Sequence, residues 1–448
     1  MVNRSMILLA TGLLLGGCSG PPGTRAERRD ADAAGEAYRT GRSDRELPTL
    51  AEPLRVDDLL RHAFLANASL EADYHRWRQA LERIPQASSW EQPQLGFKYL
   101  TSSGVMRTWD RTTLELSQTI PTAGKRGLKA DAALSEALTA RRRFEQSKFE
   151  IQRKVLSAAA EYRVLGQALA AGEENLRLLD ALVSTMAQRQ RSGKVAQRDV
   201  LAVEGMRDTA QNDLKALQAQ RPAKAAMLNA LLGREAVLPL PWPQEEPPEP
   251  VPADDEAILR LAAERNPELA ALAAEVRGRK DALGYARRAW VPDLKLGYEV
   301  MGDLEASVTG MLMLPLRTGV IRAAIREAHS GLDEAEAMRL ASQDDLRSRV
   351  VIALAMARDA DRQARYFGGV ALPRAEGILS SLRSAYRAGS VDYAEVNEGE
   401  RTLPMIRLAR DQSLAAREKA LADLEAILAV DRGAWAAAQP KPEEKTHE

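Results

Sequence analysis

The sequence states one pattern twice. Asn67-Ala68-Ser69-Leu70 returns as Asn266-Pro267-Glu268-Leu269, and Pro93-Gln94-Leu95-Gly96-Phe97 returns as Pro292-Asp293-Leu294-Lys295-Leu296-Gly297-Tyr298, each 199 residues on. Pro121-Thr122-Ala123-Gly124 returns as Pro315-Leu316-Arg317-Thr318-Gly319, with the glycines 195 apart. Arg191-Ser192-Gly193-Lys194-Val195 returns as Arg387-Ala388-Gly389-Ser390-Val391, 196 apart. Four matches in one order at nearly one offset define a duplicated unit, and each copy reads helix, hairpin, long helix, tight turn, helix.

Between the first two motifs the pattern is helical, from Val56 to about Ile84, with Pro85 expected to end the helix. The period then changes from 3.6 to 2. Leu95, Phe97 and Tyr99 alternate with polar neighbours, as do Leu114 and Leu116. The second copy does the same over Leu294, Leu296, Tyr298 and Val300, and again over Val308, Gly310, Leu312 and Leu314. Each hairpin is followed by a proline and then by a long helix. The first runs from about Ala123 to Gln190 without a proline, on the order of 100 Å at ~1.5 Å per residue. Its counterpart, about Val320 to Arg387, is expected to kink at Gly368-Gly369 and Pro373. Turns at Gly193 and Gly389 reverse the chain into return helices over about Gln197–Leu232 and Tyr393–Val430.

The remaining segments frame the copies. Residues 1–17 read as a signal peptide: an apolar run too short to span a membrane, ending in Leu15-Gly16-Gly17-Cys18. That ending resembles a bacterial lipobox, with Cys18 as the acylated residue and Ser19 favouring outer-membrane sorting. Residues 18–53 read as an extended lipidated tether, 54–238 as the first repeat, 239–253 as a stiff proline-rich linker, 254–432 as the second repeat and 433–448 as a disordered tail.

Composition excludes several classes. Charges balance, 63 basic against 63 acidic, with no basic stripe for nucleic acid. Cys18 is the single cysteine and four histidines are scattered, so neither a disulfide nor a Cys/His metal site is expected. No nucleophile elbow, phosphate loop or His-Glu-x-x-His pattern is present, and no cofactor and no enzymatic activity are expected.

The strands carry the functional argument. Apolar on one face and polar on the other, with Lys98, Glu115, Asp293, Lys295 and Glu299 on the polar side, they suit an outer-membrane barrel with a wet lumen. Two isolated hairpins cannot close a barrel, which needs about eight strands or more. An open edge cannot stand in lipid. Other copies of the chain must complete the barrel, and the physics leaves two, three or four copies open. The long helices, packed side by side in a ring, would enclose a hollow interior.

These ordered motifs resemble the TolC-type outer-membrane efflux factors over about residues 54 to 430. The best preserved piece is Tyr386-Arg387-Ala388-Gly389-Ser390-Val391 followed by Glu395-Val396; departures are Ala68, Glu395 and Pro404. The resemblance implies a mainly α fold with a small β part: long antiparallel helical hairpins forming a periplasmic tunnel, and four transmembrane strands per chain in a barrel shared by a homotrimer. It implies a passive exit duct docked on a periplasmic adaptor and a proton-driven inner-membrane pump. It places adaptor contacts at the tips, Ser192, Gly193, Lys194, Val195, Ala388, Gly389, Ser390 and Val391. Asp199, Asp392, Glu395 and Glu398, just past the tips, are candidates for an acidic entrance constriction, Glu395 and Glu398 foremost. In flavour the chain is closest to cobalt–zinc–cadmium and copper efflux subunits, so heavy-metal cations are the expected cargo. A drug or type I secretion channel is the alternative, and a non-channel periplasmic scaffold the second. Met301, Met311 and Met313 are soft-metal donors by chemistry, but Met311 and Met313 read as packing residues beside the lipid belt.

Overall fold

The computed structural model describes residues 20–101, 112–193, 195–247, 249–301 and 305–431. Cys18, Lys194 and the tail from 432 lie outside the described residues. The elements are α1 (Thr24–Ala34), α2 (Val56–Ala66), α3 (Ala68–Ser88), β1 (Gln94–Tyr99), β2 (Thr112–Ile120), α4 (Lys125–Arg191) and α5 (Gln197–Leu231). The second copy supplies α6 (Asp255–Arg265), α7 (Pro267–Arg287), β3 (Asp293–Met301), β4 (Glu305–Met313), α8 (Thr318–Tyr366), a π turn (Phe367–Ala371), α9 (Leu372–Arg387) and α10 (Tyr393–Leu428).

The repeated asparagines explain the first departure. The helix expected over Val56–Ile84 is two helices, broken at Asn67. Its side-chain Oδ1 accepts from the Ser69 and Leu70 N–H groups, 3.0 and 3.2 Å, capping α3, while Nδ2 donates to the Leu231 carbonyl at 2.8 Å. Asn266 makes the equivalent bond to Ile427 O at 2.9 Å. The motif recurs because each copy ties the start of its second helix to the end of its return helix. Pro85 does not end α3, which runs on to Ser88. A proline in a last turn forfeits one hydrogen bond without blocking the few residues that follow.

The chain divides into two compact units, and each draws on both copies: residues 1–36, 72–144 and 267–343 form one; 37–71, 145–266 and 344–448 the other. The first unit holds the sheet. It also holds α1, where an extended tether was expected. Thr24, Glu27 and Ala31 make a buried stripe at helical spacing, with Ala31 fully enclosed. Arg141 pairs with Glu27 and Asp30 at 2.8 and 2.7 Å and lies over Trp77, which stacks on Phe144. Composition hid this helix because its polar residues find partners far along the chain.

In the second unit the proline-rich linker is extended, as its composition demands, and strapped to helices. Trp242 stacks on Tyr162 with centroids 4.3 Å apart and takes the Arg221 guanidinium at 4.6 Å. Tyr162 Oη donates to Leu240 O at 2.9 Å. Arg358 donates to Pro252 O at 3.0 Å.

Helix α4 is continuous over 67 residues. Its counterpart is α8, the π turn and α9. The buried positions Ile151, Val155, Ala158, Ala159 and Tyr162 reappear as Leu346, Val350, Ala353, Leu354 and Ala357, each 195 residues on. The helix ends, Arg191 and Arg387, are 196 apart. One residue has been added between Ala357 and Arg387, and the π turn absorbs it. The expected kink at Gly368-Gly369 is therefore a local rewinding.

Candidate functional site: a sheet with two open edges and a tied pair of tips

The two hairpins are not isolated. They form one antiparallel sheet in the order β1-β2-β3-β4, because β2 pairs with β3 across the copies from Thr113↔Met301 to Ile120↔Leu294. The outer strands β1 and β4 each keep an edge with no partner strand among the described residues. Register puts Leu95, Leu116, Tyr298 and Val308 in one cross-strand row, and Phe97, Leu114 and Val300 in another. This face is bare: Leu95 is 76%, Phe97 68% and Val308 80% exposed. An exposed apolar face of this kind marks a surface that meets another protein or a membrane.

The opposite face is polar. Glu115 opposes Glu299 and Thr119 opposes Lys295. Met311 opposes Lys295, and Met313 opposes Asp293. Both methionines, and Met301 opposite Thr113, thus stand on the polar face and not beside the lipid belt. The pleat has period 2, so every second residue from Val308 is apolar-facing and the methionines fall between. Asp293 is also not a free luminal carboxylate. Both its oxygens accept from Lys125 Nζ at 2.9 Å and Oδ1 also accepts from the Thr122 N–H at 2.8 Å, so it clamps the strand-to-helix junction. Beside it, Arg126 lies 4.3 Å from the Trp90 ring centroid.

The tips turn as their glycines require. Gly193 has φ 70° and Gly389 φ 74°, conformations costly for any side chain. Ser390 N and Oγ both reach Ala385 O at 3.0 Å, and Gly389 N reaches Tyr386 O at 3.0 Å, closing the second turn. Ser192 closes the first through Arg189 O at 2.8 Å. Val195, Ala388 and Val391 complete the two loops without side-chain hydrogen-bonding capacity.

The acidic candidates separate. Asp392 caps α10 through the Tyr393 N–H at 2.7 Å and binds Arg189 of the first tip. The Arg189 hydrogen bond holds its carboxyl below the ordinary value of 3.8; partial desolvation acts the other way. Asp199 pairs with its neighbour Arg198 at 3.3 Å and Glu398 with Arg401 at 3.2 Å. Glu395 is exposed. Three ties that sequence reasoning missed join the second hairpin to α4: Arg189 to Asp392, Asn397 Nδ2 to Leu178 O at 3.0 Å, and Arg401 Nε to Asn175 Oδ1 at 3.0 Å. The available signal was Asn397, an amide on a helix face otherwise lined by Val396. It is 1% exposed. Among the described residues no group of three or more His, Cys, Asp or Glu side chains is placed to hold a metal. No described helix is long and apolar enough to cross a membrane.

The fold is similar to that of several solved outer-membrane proteins. The structure of a Pseudomonas aeruginosa membrane protein superposes with a TM-score of 0.71 at 19% identity, covering 83% of this chain and 93% of that one. CusC gives 0.70 at 17%, over 84% and 92%, and VceC of Vibrio cholerae 0.69 at 16%, over 84% and 96%. No curated protein sequence matches the chain. Residues 59–234 match the model of the outer membrane efflux protein family.

Proposed function

We propose that the chain is the exit duct of a tripartite efflux system, a homotrimer working with a periplasmic adaptor and a proton-driven inner-membrane pump. The observation that carries this reading is the sheet with two open edges and one bare apolar face. Three copies joined edge to edge, β4 of one to β1 of the next, close twelve strands with the apolar face to lipid and Glu115, Lys295 and Glu299 to the lumen. Recordings of the full-length protein in planar bilayers test it. Discrete conductance steps are expected, and a scaffold would give none.

Lipid anchoring at Cys18 fits the placement of the first described residue. Gly20 packs against Ile84, in the last turns of α3, which ends at Ser88 shortly before β1 begins at Gln94. An acyl chain two residues earlier would start near the foot of the sheet. Incorporation of labelled palmitate into the wild type but not into Cys18→Ser tests this.

Heavy-metal cations are the cargo we favour, because the polar sheet face carries thioethers, Met311 and Met313, beside Lys295 and Asp293. Loss of the chain should then sensitise its host to copper, zinc or cadmium; sensitisation to drugs and dyes alone would favour the drug-channel reading. At the entrance, the tips Ser192–Val195 and Ala388–Val391 receive the adaptor. Among the acidic set, Asp392 is the residue tied shut, ahead of Glu395, Glu398 and Asp199.

A further inference from the structure

The foot of the sheet carries a cluster that the duct itself does not use. All four strands share this end: β1 starts at Gln94 and β3 at Asp293, while β2 ends at Ile120 and β4 at Met313. Each copy sets a tryptophan just short of its first strand, Trp90 three residues before Pro93 and Trp290 two before Pro292. Tyr285, near the end of α7, joins them, and all three rings are exposed.

Cations lie on two of these rings. The Arg126 guanidinium sits 4.3 Å from the Trp90 centroid, and Lys129 Nζ 5.7 Å from that of Tyr285. Arg126 and Lys129 are one turn apart on α4, so one helix face serves a ring from each copy. Arg288 completes the group, donating to Gly124 O at 3.3 Å. None of the three makes an ion pair among the described residues, and Arg126 Nη1 has no hydrogen-bond partner. Asp293, the carboxylate of this junction, is already taken by Lys125.

Exposed tryptophan and tyrosine beside uncompensated cations, all at one level, match the headgroup zone of a membrane; a water-filled lumen has no use for the rings. A ring under each cation also holds it in place, so it meets a phosphate at little further cost in side-chain order. The start of the described chain lies close by, since Gly20 packs on Ile84, shortly before Trp90. We propose that Arg126, Lys129 and Arg288, beside Trp90, Tyr285 and Trp290, form a site for the phosphodiester headgroup of an anionic phospholipid in the periplasmic leaflet. This rests on the reading of the sheet as membrane-spanning.

Native mass spectrometry of the full-length protein in neutral detergent, with equal amounts of short-chain phosphatidylglycerol and phosphatidylcholine, tests it. The wild type should retain phosphatidylglycerol about tenfold over phosphatidylcholine. Arg126→Gln/Lys129→Gln should abolish that preference, whereas Arg347→Gln/Arg362→Gln, which removes two cations from α8, should leave it. Excess inorganic phosphate should not displace the lipid; displacement would make this a site for free anions and overturn the lipid. A wild type without preference, a preference that survives Arg126→Gln/Lys129→Gln, or one that the α8 variant lowers equally also overturns the site. Conductance of the same preparations reports the barrel separately. Steps without a lipid preference overturn this site alone; no steps overturn the barrel and, with it, the placement of the site in the leaflet.

Discussion

At the scale of single residues, side chains that look alike in the sequence do different work. Asn67 and Asn266 are buried amides that each donate to a carbonyl at the end of a return helix, and Asn67 also caps α3. Replacing Asn67 with alanine removes a cap worth about 1 kcal/mol and leaves a buried carbonyl short of a donor, about 1–3 kcal/mol more. Thermal scans at one fixed rate should show a clear fall in the unfolding midpoint for Asn67→Ala, and for Asn266→Ala alike. Asp392 behaves differently, since its pairing is partly exposed and, on the proposed reading of the tips as the entrance, its effect is read in conductance. Its carboxyl is depressed, so the tie to Arg189 is complete above the ordinary carboxylate value and is lost only as pH falls through the lowered one. Conductance should therefore be indifferent to pH across the neutral and mildly acidic range as far as this pair is concerned, and should rise only as pH falls through the lowered value, below the ordinary 3.8. In Asp392→Asn that acid-induced rise should be absent.

At the scale of elements, period and spacing were reliable and partners were not. The two strand pairs, the glycine turns and the long helices were legible because each is written in neighbouring residues. The pairing of β2 with β3 was not, since an alternating strand reads the same whether its edge is open or filled. The methionines show the converse: alternation along β4 already placed Met311 and Met313 on the face away from Val308 and Leu312, and reading them as belt packing overrode a local rule that held. Helix α1 was missed for want of an apolar stripe. It is held by Arg141 and by a close approach at its end, where a Cβ on Gly35 would fall 1.8 Å from Tyr74 Oη. Tyr74 is 5% exposed and packed against Trp77 and Phe144, so it cannot yield. Gly35→Ala should release α1, seen as new proteolytic cleavage within residues 20–36 of otherwise folded protein.

For the whole molecule, the proposed barrel needs more than one chain. Val308 is 80% exposed, so in a water-soluble scaffold Val308→Lys would be harmless. On the lipid face of a barrel the same change costs about 2–4 kcal/mol near the midplane. The variant should lose most of its outer-membrane fraction and its heat-resistant oligomer on gels; full retention of both would contradict the barrel. The open edges of β1 and β4 demand a closing partner, and identical copies offer the complementary edge at no further cost in sequence.

By itself the sequence determined the duplication, the two hairpins, the reversing tips, the long helices between them and which strand face is apolar and which polar, because periodicity and glycine placement act over a few residues. Only the tertiary structure decided that the copies interleave into one four-stranded sheet and two shared units, that the N-terminal arm folds, that Asp293 clamps a junction, and that Asp392 among four similar carboxylates is the one tied across the tips. Those outcomes depend on which distant groups meet, and distance along the chain carries no record of distance in space.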